Sequence, residues 1–235
     1  IYLNLCEKLV GLYTADSNYH AAIVLLRRLI KEVGPRSFKQ LGYNREILAN
    51  MFASGDKQGT KTEIILLSKK MKIYSPELTA EFKKEERAEL EHLISRIGTE
   101  YHRESEKTLG KKAQELALTV YEHYLEWFPD AKNYYTMTYN VAILAYQMKE
   151  YARAAKLFER VLKLNPKGEY TAEAAHTVLL SYYKLIDVAA VDEKASDDID
   201  ESFDKRPIPK KEQQLVTACE RYIESAPPGS DDLAM

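Results

Sequence analysis

YTMTYNVAILAYQMKEYARAAKLFERVLKLNPKG, at residues 135–168, is the part of the sequence that decides the fold. Ala142 and Ala154 are small, which suits two helices that cross closely, and Phe158 is large enough to fill the gap towards a neighbouring pair. Pro166 follows Asn165 and ends the second helix, because proline cannot continue an α-helix. The stretch therefore predicts two antiparallel helices that pack against another such pair.

The same stretch resembles the 34-residue tetratricopeptide repeat (TPR) along its whole length. Its marker positions hold Val141, Ala142, Ala145, Tyr146, Tyr151, Ala154, Phe158, Val161 and Pro166. The departures are Thr138 and Ala142, where the family usually has Trp and Gly. The resemblance implies an all-α fold, a right-handed superhelical solenoid of antiparallel helix pairs.

The segments on either side of this repeat carry weaker versions of it. An N-terminal copy has apolar residues at the same offsets, namely Leu9, Val10, Tyr13, Tyr19, Ala22, Leu26 and Leu29. A long charged helix is predicted from about Pro76 to Lys107, with a buried stripe of Leu90, Leu93, Ile94 and Ile97. A later helix is predicted from Lys210 to Ser225. Its core-facing residues are expected to be Leu215, Ala218, Cys219 and Tyr222.

The predicted organisation is a row of helix pairs, some of them with lengthened helices. In residues 37–74, Glu46–Phe52 and Lys61–Met71 are each periodic enough to be short helices. We interpret the chain as six segments: a TPR-like repeat (1–36), a degenerate helical repeat (37–74), a long-helix TPR-like repeat (75–130), the clear TPR repeat (131–168), a TPR-like repeat interrupted by an acidic loop at 187–208 (169–228), and the start of a further helix (229–235).

Composition narrows the classes of function. The apolar fraction of 45% is enough for a sizeable core, and the 9 Gly and 8 Pro are too few for the many turns of an all-β fold. The formal charge of −2 gives no net field to attract nucleic acid or an anionic membrane, and no apolar run is long enough to span a bilayer. Cys6 and Cys219 belong to no metal-ligand spacing, so we interpret them as small apolar side chains rather than a disulfide.

The resemblance also implies a binding surface, because the first helix of each TPR lines the inner wall of the superhelix. The ligand-facing positions of the last two repeats are Thr136, Tyr139, Ile143, Tyr146, Gln147, Glu173, His176, Leu180, Tyr183 and Lys184. Tyrosine provides a large contact area at a low entropic cost, so this wall suits a protein or peptide partner. The alternative is that these tyrosines only pack between repeats.

A metal site is the second hypothesis about function. Glu89 with His92, and Glu173 with His176, have the i, i+3 spacing of di-iron carboxylate bundles, so the alternative is a metal-binding helical enzyme. Such a site also needs a single inward Glu on each of two other apolar helix faces, and the remaining candidates lie among polar neighbours. We therefore expect a protein that is not an enzyme, with no catalytic residues, no metal and no cofactor. The acidic residues 197–201 are interpreted as a solvated linker.

The setting of the protein is suggested by a short resemblance. YLEWFP, at residues 124–129, is similar to the second-helix ending of bacterial cell-envelope repeat proteins. It implies a periplasmic or cell-envelope adaptor, for instance in outer-membrane assembly or surface motility, and a cytoplasmic adaptor is the rival interpretation. Because the sequence begins inside a helical pattern and ends on what looks like a helical turn, we expect a part of a larger chain and of a multiprotein complex.

Overall fold

The computed structural model describes residues 1–34, 37, 39–74, 80–108, 110–193 and 209–225, and the secondary structure of this part is entirely helical. The all-α prediction is therefore confirmed. The chain divides into two compact units, residues 1–129 and 130–235. Each unit is a stack of consecutive helix pairs and is described by itself.

The first unit contains three helix pairs. Its helices are α1 (Tyr2–Ala15), α2 (Tyr19–Val33), α3 (Lys39–Ala53), α4 (Lys57–Tyr74), α5 (Ala80–Thr108) and α6 (Lys111–Trp127). Helix α2 packs against both α1 and α3, and α5 packs against both α3 and α6. The predicted helices Glu46–Phe52 and Lys61–Met71 are too short, because both belong to full-length helices. The predicted start of the long charged helix, at about Pro76, lies outside the described residues.

Polar side chains inside the α1–α4 stack explain why this stretch looks degenerate in sequence. The Thr14 hydroxyl donates a 2.9 Å hydrogen bond to Oδ1 of buried Asn50, and the Lys70 ammonium donates one of 2.7 Å to buried Asn44. The carboxylate of Glu63, whose side chain is 3% exposed, pairs with Arg27 at 3.1 Å. Because these polar groups have partners, burial does not require an apolar side chain at their positions.

Helices α5 and α6 cross at a glycine. A Cβ added to Gly98 would lie 2.5 Å from Cε1 of the fully buried Tyr121 ring, so only a residue without a side chain permits this approach. The predicted stripe of Leu90, Leu93, Ile94 and Ile97 is buried as expected, and α5 is lengthened to 29 residues.

His102 lies at this crossing and makes the stability of the first unit depend on pH. Its ring is edge-on to Tyr121, and its buried Nε2 has no hydrogen-bond partner in the described part of the chain. Burial lowers the pKa of His102 below its ordinary value, and the nearby Glu106 carboxylate opposes this only in part. The folded state therefore takes up a proton less readily than the unfolded chain, whose histidines titrate near pH 6.5.

We accordingly expect the free energy of unfolding to decrease as the pH falls below about 6.5. The decrease should continue until the pH has passed the lower pKa that His102 has in the folded state. Urea denaturation at a series of pH values between about 7.5 and 5 measures this slope. The slope should be shallower in His102→Gln and unchanged in His20→Gln, because His20 is exposed. Equal slopes in the wild type and in His102→Gln would show that His102 is not the titrating group.

The second unit contains two helix pairs built on a core of small residues and one large ring. Its helices are α7 (Tyr134–Gln147), α8 (Tyr151–Leu164), α9 (Thr171–Glu193) and α10 (Lys210–Ser225). At the centre, Phe158 is fully buried among Ala142, Ala154 and Val178. All the marker positions of the clear repeat from Val141 to Val161 are buried, apart from the half-buried Tyr146 and Tyr151. The antiparallel pairs of a TPR-like fold are thus confirmed.

The acidic loop is shorter than predicted. Residues 187–193 belong to α9, because Val188, Ala189, Ala190 and Val191 are compatible with a helix and separate Asp187 from the later acidic residues. Residues 194–208 and the predicted further helix at 229–235 lie outside the described residues. In α10, Ala218 is buried, whereas Leu215, Cys219 and Tyr222 are half-buried.

Candidate partner-binding surface

The ten predicted binding residues all lie on the first helices of the second unit, α7 and α9, and none is fully buried. Gln147, Glu173 and Tyr183 are exposed, and the other seven are half-buried. This pattern follows from the repeat: the buried faces of α7 and α9 carry Ala142, Ala145, Ala174 and Val178, so the residues between them point away from the core. We call the ten residues the α7–α9 surface.

A stack of tyrosines holds the beginning of this surface in place. The rings of Tyr139 and Tyr170 are parallel, with centroids 4.1 Å apart and an interplanar angle of 9°. Tyr135 also stacks on Tyr170, with centroids 5.3 Å apart, and its hydroxyl oxygen accepts a 3.1 Å hydrogen bond from the Tyr170 backbone N–H. Gly168 permits this arrangement, because a Cβ there would collide with the Tyr135 hydroxyl.

Tyr139 joins the two helices of the surface rather than standing free. Its hydroxyl donates a hydrogen bond to the Glu173 carboxylate on α9, and its ring edge meets Phe158 at 5.9 Å. Burial and this hydrogen bond raise the pKa of the Tyr139 phenol above its ordinary value. His176, at the corresponding position of the next repeat, lies 5.3 Å from the Tyr222 ring. Packing between elements therefore accounts for Tyr139 and His176.

The remaining aromatic residues are available to a ligand. Tyr146 is half-buried and meets Tyr151 edge-on at 5.4 Å, and Tyr183 is 52% exposed with the Lys184 ammonium 5.7 Å from its ring centroid. Half-buried Ile143 and Leu180 add aliphatic area. Because exposed Tyr183 and half-buried Tyr146, Ile143 and Leu180 offer aromatic and aliphatic contact area, the α7–α9 surface suits apolar anchors of a peptide.

The residues that motivated the metal hypothesis have other partners. Glu89 forms an ion pair with Arg45 at 2.7 Å, and Glu173 accepts the hydrogen bond from Tyr139. In the described ranges, no group of three His, Cys, Asp or Glu side chains could hold a metal ion. Nothing in the geometry therefore favours the metal-enzyme alternative.

Two further sequence expectations concern the cysteines and the membrane. Cys6 and Cys219 are both free and half-buried. Over the residues that the structure covers, no helix is both long and apolar enough to cross a membrane.

A second surface, in the first unit, was missed from the sequence. Helices α3 and α5 border two adjoining cavities of about 440 Å³ and 600 Å³, and Arg96 lines both of them. Several of the residues that α3 buries are polar, so the sequence of α3 shows no clear hydrophobic period. The pairing of α3 with α5 could therefore not be predicted from the sequence. The sequence signal for this surface is the row of charged residues at helical spacing along α5.

Comparisons with known proteins agree with a helical repeat. No protein-family model and no curated protein matches the sequence. Similar solved structures include the TPR-like repeats of a kinesin-light-chain-like protein of Podosopora anserina, at 12% identity over 95% of this chain and 96% of that one, with a TM-score of 0.40. MamA of strain AMB-1 is 10% identical over 100% and 97% of the two chains, with a TM-score of 0.41.

A TPR repeat-containing protein of Cytophaga hutchinsonii is 14% identical over 97% of this chain and 98% of that one, with a TM-score of 0.26. Because all three TM-scores are below 0.5, the fold assignment rests on the helix pairs and on the burial of the repeat positions. The fold is TPR-like. Such a fold is suited to protein–protein interaction.

Proposed function

We propose that this chain is a scaffold or adaptor, without an activity of its own, that binds a protein or peptide partner along the α7–α9 surface. The observation that carries the proposal is the row of partly exposed aromatic and aliphatic residues on two neighbouring first helices. The tyrosine stack fixes the position of these helices before a partner arrives, so little ordering is required on binding.

The character of the surface indicates how the partner is held. Tyr146 and Tyr183 supply large rigid rings, and Gln147 and Lys184 supply polar groups beside them. An extended or helical segment with two or three apolar side chains matches this combination. Two tyrosine anchors of this kind are typical of the few residues that dominate the energy of an interface.

We further propose that the partner belongs to a bacterial cell-envelope assembly, such as an outer-membrane assembly or motility complex, and that the chain works in the periplasm. The support is the resemblance of residues 124–129 to envelope repeat proteins. Fractionation of the source cells checks this placement, since recovery of the protein in the cytoplasmic fraction would favour the rival adaptor.

The test of the binding surface is the double variant Tyr146→Ala/Tyr183→Ala. We expect the variant to recover at least tenfold less of the main partner than the wild type, because truncation of each of the two aromatic anchors costs about 1–2 kcal/mol or more. The measurement is affinity capture from an extract of the source organism, with quantitative mass spectrometry of the proteins that co-purify.

The matched control is Tyr2→Ala, because Tyr2 is 49% exposed and lies on α1, outside the surface. Circular dichroism establishes that each variant keeps its helices. Equal recovery of the partner by the wild type and the double variant would exclude the α7–α9 surface as the binding site.

A further inference from the structure

The cleft between α3 and α5 in the first unit is built differently from the α7–α9 surface. Its α3 side consists of Arg45, Ala49, Phe52 and Ala53, and its α5 side runs from Ala88 to Lys107. From Glu89 to Lys107 the α5 side extends about 27 Å at the helical rise of 1.5 Å per residue. An extended peptide of about eight residues has the same length.

The floor of the cleft provides one apolar pocket beside an aromatic platform. Ala49, Ala88 and Leu93 line the smaller cavity, where two alanines leave room for an aliphatic side chain. In the larger cavity the rings of Phe52 and Tyr101 meet edge-on at 5.8 Å. Arg96 lies between the two cavities with its guanidinium 5.6 Å from the centroid of Phe52.

Among the side chains that line the cleft, cations outnumber carboxylates, and Arg45 also pairs with Glu86, which lies outside the lining. Each carboxylate that lines it is already bound: Glu89 to Arg45 at 2.7 Å, Glu100 to Arg103 at 3.1 Å, and Glu104 to Lys57. Two lining cations, Arg96 and Lys107, have no carboxylate partner among the described residues, and His92 is exposed beside Arg96. A guanidinium that stacks on an aromatic ring keeps its N–H edge free for a carboxylate.

We propose that this cleft is a second binding site, for an extended acidic peptide that inserts one aliphatic side chain beside Ala49 and Ala88. A carboxylate of the peptide pairs with Arg96, and a second carboxylate reaches Lys107. This site goes beyond the proposed function, because it lies in the first unit and selects its peptide by negative charge, whereas the α7–α9 surface binds apolar side chains. Nucleic acid fits less well, because Ala49, Ala88 and Leu93 line a pocket that suits an aliphatic side chain rather than a phosphate or a sugar.

The experiment measures fluorescence anisotropy with a labelled octapeptide of six glutamates and two leucines. We expect the wild type to bind it, with weaker binding as salt is added, and Arg96→Ala to lower the affinity about tenfold through loss of a charge-assisted pair. Arg96→Lys should not restore full affinity, since lysine cannot form the bidentate pair. The same peptide with glutamine in place of glutamate should bind much less.

Matched controls keep the test decisive. Lys31→Ala removes an exposed cation of α2 and should leave the affinity unchanged. Lys107→Ala changes an exposed residue and should weaken binding several-fold. It takes the place of Arg96→Ala if circular dichroism shows that the Arg96→Ala protein has lost helicity. The proposal is overturned if the labelled peptide does not bind at about 1 mM protein, if the wild type and the cleft variants have equal affinity, or if an eight-nucleotide oligothymidylate binds more tightly. Tyr146 and Tyr183 lie in the other unit, so either site can fail alone.

Discussion

Phe158→Ala should lower the free energy of unfolding by about 3–5 kcal/mol, the range for truncation of a fully buried large ring. Phe158 is 0% exposed, and its neighbours Ala142, Ala154 and Val178 are themselves small or fixed. They cannot move far enough to fill the space that the ring leaves, so the cavity persists and its cost adds to the lost burial. Urea denaturation followed by circular dichroism measures the change.

The control on the same helix is Leu164→Ala, because Leu164 is 44% exposed. It should cost less than about 1 kcal/mol. If Phe158→Ala also cost less than about 1 kcal/mol, the ring would not occupy the centre of the second unit, and the alignment of residues 135–168 with a TPR would be wrong.

Gly98→Ala should destabilise the first unit by up to about 2 kcal/mol, although alanine is the better helix former. Inside a helix the replacement gains about 1 kcal/mol in intrinsic propensity. Against this, the new Cβ would lie 2.5 Å from Cε1 of the fully buried Tyr121 ring, and overpacking of this kind costs about 1–3 kcal/mol. The clash should therefore outweigh the gain.

Gly11→Ala is the matched control for this prediction, because Gly11 lies inside α1 and a Cβ there would meet nothing within 4 Å. It should stabilise the protein by up to about 1 kcal/mol. Opposite signs for the two replacements, measured by the same denaturation, are the expected result. A stabilising Gly98→Ala would mean that α5 and α6 do not cross at this residue.

The sequence was sufficient for the clear repeat because several physical requirements coincide there. Small residues at a close crossing, an aromatic ring in the gap and a proline after the second helix can be recognised without coordinates. All of these features lie where the repeat pattern places them. The stripe of α5 was predictable for a similar reason, since Leu90, Leu93, Ile94 and Ile97 form one helical face.

Residues 37–74 show where such reasoning fails. Helix α3 buries Gln40, Asn44 and Asn50, and the partners that make this burial tolerable come from α1, α2 and α4 or from the backbone of α3 itself. A hydrophobic period cannot reveal a helix whose inner positions are polar. The end of α9 was predicted too early for a different reason. The many acidic residues from Asp192 onward made the whole segment 187–208 look like a loop, although its first residues continue the helix.

The candidate binding residues were predictable in position but not in role. The repeat offsets place all ten on two first helices, and none of the ten is fully buried. The offsets do not distinguish a free ring from one held by packing: Tyr139 and Tyr183 both occupy ligand-facing offsets, but only Tyr183 is exposed. Tyr170, which lies outside the offsets, decides the matter by stacking on Tyr139. The α3–α5 cleft required coordinates, since it depends on which charges are already paired.

Photo-crosslinking in the source cells tests the central claim most directly. A photoreactive amino acid is placed at Gln147 or Tyr183 on the α7–α9 surface and, as a control, at exposed Lys156 on α8. We predict a discrete adduct of the same partner from the first two positions and none from Lys156. An adduct from Lys156 alone, or adducts of equal yield from all three positions, would contradict binding along α7 and α9.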